Sequence, residues 1–315
     1  MQRYSRRDFL ISASLAAAGI GFFPGCRQNR DPNGDRDVDP DRKQGQNHNP
    51  DRFKIGVIDI NGRYGGLART ARIDAVEKAA RIGFEGVEIT FGGPDEDGML
   101  LLAREERQQR YMEELDRHGI KAAGTHLFVL HQNLLKDPDD PLARKWVEQA
   151  IPATHNLNAE VILLPFFGDG AIETTAEMHY VADLMNDLGA MAQDYGVILG
   201  LENTLSAEDN MRILDRANSP AVKVYYDTGN SHGFGHDIYS EIRRLGSERI
   251  CQFHLKDNPH YMGEGEIDFD EVFRIIDEIG YSGWLILETT SPTGNRAEDL
   301  RRNLEFTKNT LSEIR

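Results

Sequence analysis

Val222-Lys223-Val224-Tyr225-Tyr226-Asp227-Thr228-Gly229-Asn230 is a β-branched and aromatic run that stops at an acid and then turns on a glycine. Such a run reads as a strand that carries one carboxylate to its C-terminal end. Three other segments share the layout: Val197-Ile198-Leu199-Gly200-Leu201-Glu202, Ile250-Cys251-Gln252-Phe253-His254 and Trp284-Leu285-Ile286-Leu287-Glu288. A lone acid behind a strand is ordinarily a turn former or a helix cap. Here four apolar strands in succession end in Glu, Asp, His and Glu, which points to a shared role. Carboxylate oxygens with a single imidazole suit one divalent cation, Mn, Zn, Co or Mg.

The four ends are separated by 25, 27 and 34 residues. Each interval holds one strand, one helix and two loops, the length of a βαβ unit of roughly 30 residues. Further out, strands are expected at Phe53–Ile60, Gly86–Phe91, Ala122–Phe128, Val161–Phe167, Val197–Asn203, Val222–Asp227, Ile250–Lys256 and Trp284–Thr289. Helices are expected between and after them, at Arg69–Ile82, Arg104–His118, Pro141–Asn156, Thr175–Tyr195, Ala207–Ala217, Ile238–Leu245, Phe269–Ile279 and Arg296–Glu313. Eight alternating pairs predict an α/β fold of the closed (β/α)8 TIM-barrel type, with an open doubly wound sheet as the alternative. A barrel places its functional groups at the C-terminal strand ends, where all four candidates lie. Alternation along each strand then turns Gly200, Tyr225, Gln252 and Ile286 toward the interior, and Lys223 with them, at a lower rim open to solvent.

The chain begins differently. Ser5-Arg6-Arg7-Asp8-Phe9-Leu10, followed by an apolar run from Ile11 to Phe23, has the pattern of a twin-arginine export signal. The run is short of the ~20 apolar residues that a transmembrane helix needs. Cys26, behind Phe23-Pro24-Gly25, resembles a lipoprotein cleavage site, so residues 1–26 are read as a signal with either a free or a lipid-anchored product. Residues 27–51 are mostly Asp, Asn, Arg, Pro, Gly and Gln with one aliphatic residue, Val38, and are expected to form a disordered linker. A chain of that length would hold the domain about 25–30 Å from a membrane. The expected location is periplasmic, or on a membrane surface through lipid at Cys26.

Residues 52–315 are long enough for one catalytic domain with a large core. The whole chain has 36 basic against 52 acidic residues, a net charge of −16, and residues 1–50 carry more bases than acids. The domain is therefore the more acidic part, and such a surface repels phosphate backbones, which excludes nucleic acid as a partner. Cys26 and Cys251, one in the export region and one in a strand, give no reason for a structural disulfide. Association into a homo-oligomer stays open.

Leu201-Glu202-Asn203-Thr204, Tyr226-Asp227-Thr228-Gly229-Asn230, Phe253-His254-Leu255-Lys256-Asp257, Gly263-Glu264-Gly265-Glu266-Ile267-Asp268-Phe269 and Gly280-Tyr281-Ser282-Gly283-Trp284-Leu285-Ile286-Leu287-Glu288 resemble the sugar phosphate isomerase/epimerase family of xylose-isomerase-like barrels. The resemblance spans nearly the whole domain. It implies that Glu202, Asp227, His254 and Glu288 bind one divalent metal, often Mn, and that the two glutamates also move protons. The same superfamily contains apurinic endonucleases with three metals. At the position where those enzymes and the ketose 3-epimerases carry a histidine, this chain has Asn230. That departure implies one metal, and it argues against a ketose 3-epimerase in particular.

The chemistry of the groups agrees. Removing a proton beside a carbonyl builds charge on the oxygen, and a metal chelating that oxygen and a neighbouring hydroxyl stabilises the enediolate. Glu202 and Glu288 on opposite faces suit removal on one side and return on the other. Candidate substrate contacts are Glu88, His126, Asn230, Lys256 and Asp257. Each also has an ordinary reading as a buried hydrogen-bonded group or a solvated charge. Gly263-Glu264-Gly265-Glu266 lacks the lysine of a phosphate loop and is expected to be a flexible lid. Phe128, Phe166 and Phe167 are candidates for an apolar wall against a sugar face, and Trp284 is expected to be structural. Folded export would let Mn be loaded in the cytoplasm, and an exported member would meet unphosphorylated sugars, keto-sugars or cyclitols. The leading reading is a metal-dependent isomerase or epimerase of such a small molecule. The alternatives are a lyase or hydrolase of keto-sugars or keto-glycosides at the same site, and a sugar-binding lipoprotein without catalysis.

Overall fold

The computed structural model describes residues 52–59, 72–131 and 134–314. The export, lipidation and linker readings over residues 1–51 lie outside them, as do the expected strand end at Ile60 and the helix start at Arg69.

Eight parallel strands close into a barrel: β1 Phe53–Ile58, β2 Gly86–Thr90, β3 Lys121–His126, β4 Val161–Pro165, β5 Ile198–Glu202, β6 Val222–Asp227, β7 Ile250–Leu255 and β8 Gly283–Leu287. Closure is made by β1 against β8, in register from Phe53 opposite Gly283 to Val57 opposite Leu287. Around it run α1 Asp74–Ile82, α2 Glu105–His118, α3 Pro141–Asn156, α4 Thr175–Asp194, α5 Ala207–Ala217, α6 Thr228–Gly233, α7 Ile238–Arg249, α8 Phe269–Glu278 and α9 Arg296–Glu313. Of these, α6 is absent from the sequence expectation, which read a loop after Asp227. The α7 axis breaks at Gly246, whose φ of 66° is left-handed, so the expected end at Leu245 is where its regular part stops. Among the described residues no helix is long and apolar enough to cross a membrane.

The helices form for local reasons and stay for tertiary ones. In α8, Phe269, Val272, Phe273, Ile275 and Ile276 make one apolar stripe, and the Asp268 side chain accepts from the Glu271 amide at its start. In α4, Thr174 and Glu177 satisfy each other's backbone amides in a capping box. These stripes meet the outward residues of the strands, such as Leu199, Leu201, Phe253, Leu255, Leu285 and Leu287, in the main core between helices and barrel.

The inside of the barrel is packed differently. Ile58, Ala123, Ile286 and Trp284 form one small cluster, and Val161, Leu163, Tyr225, Ile198 and Cys251 form another. Large residues on some strands fill space left by glycines on others. A Cβ on Gly86 would lie 2.5 and 2.7 Å from the Trp284 ring, and one on Gly200 would lie 2.8 Å from Cys251 Sγ. Register shifts at Val87/Glu88 between β2 and β3, and at Val224/Tyr225 between β6 and β7, turn two successive residues inward, Ala123 with Gly124 and Cys251 with Gln252. Lys223, turned the same way by parity, is half-buried near the start of β6.

Trp284 is thus the structural plug expected of it, and the cost of crowding it is testable. Gly86→Ala should lower the unfolding free energy by about 1–3 kcal/mol, because the indole ring cannot yield as a flexible chain end can. Gly93→Ala, with nothing within 4 Å of its added Cβ, is the control. Urea midpoints that match for the two variants would contradict the packing account.

Candidate metal centre

Glu202 and Asp227 are the last residues of β5 and β6, His254 is the penultimate residue of β7, and Glu288 follows β8 directly. All four are buried, and one ligand atom from each lies within 4.8 Å of the others. The imidazole is the hub: His254 Nδ1 is 3.1 Å from Glu202 Oε1, 3.2 Å from Glu288 Oε2 and 3.7 Å from Asp227 Oδ2.

Asp227 fills two roles at once. Its Oδ1 accepts the Asn230 amide at 2.7 Å and caps α6, which is the ordinary duty of an acid before a turn. Its Oδ2 is buried and turned to the cluster, where Lys256 Nζ lies 2.6 Å away. Three carboxylates and one imidazole converging in one buried cluster fit a single divalent cation. Glu202, Asp227, His254 and Glu288 would hold it.

The carboxylates also meet charges from the protein itself. Lys256 Nζ lies 2.6 Å from both Asp227 Oδ2 and Glu288 Oε2, all of them buried. Burial would lower the His254 pKa, but Glu88, Glu288 and Glu202 outweigh it and hold the proton well above the usual imidazole range. The two glutamates diverge. Burial pushes Glu202 up to about 8, against the pull of His254. Glu288 is equally desolvated, yet Lys256 and His254 keep its carboxyl well below the usual range.

A pH dependence follows. A cation entering through Nδ1 displaces a proton from His254 and, below pH 8, another from Glu202. Affinity therefore rises with pH, by about tenfold per unit for each proton displaced. Calorimetric titration in buffers of different ionisation enthalpy should show proton release from pH 6 to 8, and a flat affinity across that range would contradict this electrostatic picture.

The other expected site residues fall in different places. Asn230 Nδ2 is 3.3 Å from Glu202 Oε1, at the rim of the cluster. His126 is buried near Glu288 with an unpartnered Nδ1, and burial pushes its pKa down to about 3, so it is neutral. Lys256 is drawn into the carboxylates. Asp257, expected at a substrate, instead accepts the backbone amides of Gly265, Glu266 and Ile267 at 2.9, 3.1 and 3.3 Å. It thereby ties down the base of the glycine-rich loop that the sequence suggests is a flexible lid. Gly265 is required there, since its Cβ would sit 2.2 Å from Asp257 Oδ1. Glu88, also expected at a substrate hydroxyl, is fully buried beneath the His254 ring, its Oε1 3.5 Å from Nε2.

Of the three candidate wall residues, Phe166 packs into the outer core, whereas Phe128 is 41% exposed and Phe167 half-buried. Between the last two stands His131, which the sequence did not single out. It lies 4.8 Å from the Phe128 ring and stacks on Phe167 at 6.0 Å. His126 meets the edge of Phe128 at 5.7 Å, so an aromatic row leads from the rim to the carboxylates. Of three further histidines, His232 in α6 is 3.2 Å from Glu266, His236 bonds the Thr204 carbonyl at 2.9 Å, and His260 is exposed.

Comparison with known proteins agrees with this architecture. The family model described as xylose isomerase-like TIM barrel matches residues 76–310. A ketose 3-epimerase of Arthrobacter globiformis is 26% identical over 267 residues, 78% of this chain and 88% of that protein. An inosose dehydratase of Bacillus thuringiensis is 25% identical over 178 residues, 42% of this chain and 58% of the dehydratase. Among solved structures, D-psicose 3-epimerase of Clostridium cellulolyticum superposes with a TM-score of 0.67 at 18% identity, covering 82% of this chain and 99% of the epimerase; at that identity the likeness shows the fold.

Proposed function

Because the chain belongs to the xylose isomerase-like TIM barrel family, we propose that it is a divalent-metal-dependent isomerase or epimerase of a sugar, keto-sugar or cyclitol. The observation that carries the reading is the buried Glu–Asp–His–Glu cluster at the C-terminal mouth, with its two glutamates on β5 and β8 and the histidine between them.

The four side chains hold a cation, with Mn the proposed occupant for an oxygen-rich set with one nitrogen. When bound, it supplies a Lewis acid that stabilises negative charge on the substrate's carbonyl oxygen. Glu202 and Glu288 act as the proton carriers, one taking the hydrogen from the carbon beside the carbonyl and the other returning one to the opposite face. Asn230 donates to Glu202 and steadies its carboxylate. Phe128, His131 and Phe167 offer flat apolar faces for the C–H side of a ring. Export, read from Arg6-Arg7 and the apolar run behind them, favours an unphosphorylated substrate.

A second reading, favoured by the dehydratase relative, lets the same proton removal expel a hydroxyl from the next carbon, with loss of water. The test is a screen of Mn-loaded protein against keto-sugars and cyclitols in heavy water, read by mass and by position of label. Deuterium gained at one carbon with the skeleton intact supports isomerisation or epimerisation, and loss of water supports the dehydratase. Tight binding without exchange in any ligand would overturn the catalytic reading.

A further inference from the structure

Two buried polar atoms near the cation site, Glu88 Oε1 and His254 Nε2, have no hydrogen-bond partner in proper alignment, and they face each other at 3.5 Å. Glu88 is 0% and His254 1% exposed, so no substrate reaches either atom from the mouth. From these contacts we infer that Glu88 is a positioning residue for His254, fixing the ring so that Nδ1 presents its lone pair to the cation. The inference rests on reading Glu202, Asp227, His254 and Glu288 as a cation site.

An imidazole has one proton to place when it binds a metal. If Nδ1 is the ligand, Nε2 carries the hydrogen, and in a dry interior that hydrogen needs an acceptor. Glu88 Oε1 is in place for it after a shift of a few tenths of an ångström. A charged acceptor also strengthens the ring as a ligand, as carboxylates behind metal-bound histidines do.

Glu88 is itself held from below. The Tyr225 hydroxyl donates to Glu88 Oε2, and Gln252 Nε2 donates to the Tyr225 oxygen at 3.0 Å. The Tyr225 ring lies against His254 at 4.6 Å between centroids, so it limits ring rotation as well. Gln252 has room because strand β3 carries a glycine opposite it: a Cβ on Gly124 would come within 3.1 Å of Gln252 Nε2. The chain Gln252, Tyr225, Glu88, His254 thus joins β6, β7 and β2 inside the barrel and ends at the ligand atom. Nothing in substrate binding requires it.

The test uses the full chain and reads metal affinity by calorimetry, the visible spectrum of the Co-loaded site and melting in chelator. Glu88→Gln is nearly isosteric, but its amide can turn its NH2 toward Nε2 and favour the wrong tautomer. It should bind Mn or Co about 10–100-fold more weakly than the wild type, with an altered Co spectrum, and a cooperative melt in chelator shows that the variant is folded. Tyr225→Phe should weaken binding in the same direction, and the double variant should lose less than the two singles combined. A Glu88→Gln affinity within about twofold of wild type, with the same Co spectrum, would overturn the assignment while leaving the cation site standing. No cation bound by the wild-type protein would overturn both.

Discussion

Glu202→Gln and Glu288→Gln each stop interconversion of the substrate, with turnover falling by about 10²–10⁴-fold. The substitution keeps a side-chain oxygen of nearly the same reach, so the cluster retains four donors, but an amide neither accepts nor returns a proton at working pH. The two variants should differ in what survives. If each glutamate serves one face of the reacting carbon, loss of one leaves the other able to remove and restore hydrogen on its own side. Each variant then exchanges solvent deuterium into one epimer of the pair and not into the other, with the preference reversed between them. Mass spectrometry of both epimers in heavy water, with bound metal counted in parallel, reads this directly. Near-normal interconversion in either variant at full metal content would remove that glutamate from the chemistry. Equal and complete loss of exchange from both epimers in both variants would point instead to a single base whose position needs both side chains.

Much of this was legible because barrel strands report their own geometry. Period-two alternation sorted Gly200, Tyr225, Gln252 and Ile286 to the interior, and the interior clusters and close glycine contacts place them there. The four ligand candidates were readable because each closes an apolar run in successive units, a pattern that only shared position at the mouth makes meaningful. What escaped was contact between side chains from distant strands. Glu88 sits in the middle of β2 and His126 at the end of β3, both on inward positions, and nothing in their local sequence says that one lies beneath His254 and the other opens toward the rim. Tyr225 and Gln252 had the inward parity of a relay, but the hydrogen bonds joining them to Glu88 depend on register shifts that no local pattern announces. Asp257 follows His254 closely, as a substrate contact would, and yet its carboxylate turns to the amides of a loop that lies eight to ten residues further on. His131 lies in a short turn after β3 with no flanking signal at all.

Lys256→Met should destabilise the metal-free protein sharply and do so far less once a divalent cation is present. In the metal-free protein the ammonium touches two buried carboxylates at 2.6 Å, and burial works against its charge while Asp227 and Glu288 sustain it. Methionine keeps the aliphatic stem that packs on Gly229, where an added Cβ would meet Lys256 Cγ at 2.5 Å, so the change removes charge with little change of volume. Removing one member of a buried ion pair typically costs about 3–5 kcal/mol. For a domain of this size that is a fall in melting temperature of roughly 10 °C. Two features separate the effect from general damage to packing. The loss should shrink as pH falls, because protonating the stranded carboxylates relieves the repulsion, whereas a packing defect would persist. Saturating Mn should also raise the melting temperature of the variant by more than that of the wild type, since the cation supplies the positive charge that the lysine no longer does. Melting curves in chelator and in Mn, at pH 5 and pH 8, decide it. A variant as stable as the wild type in chelator at pH 8 would mean that the carboxylates do not depend on Lys256, and that the cation meets a site whose charge is balanced by other means.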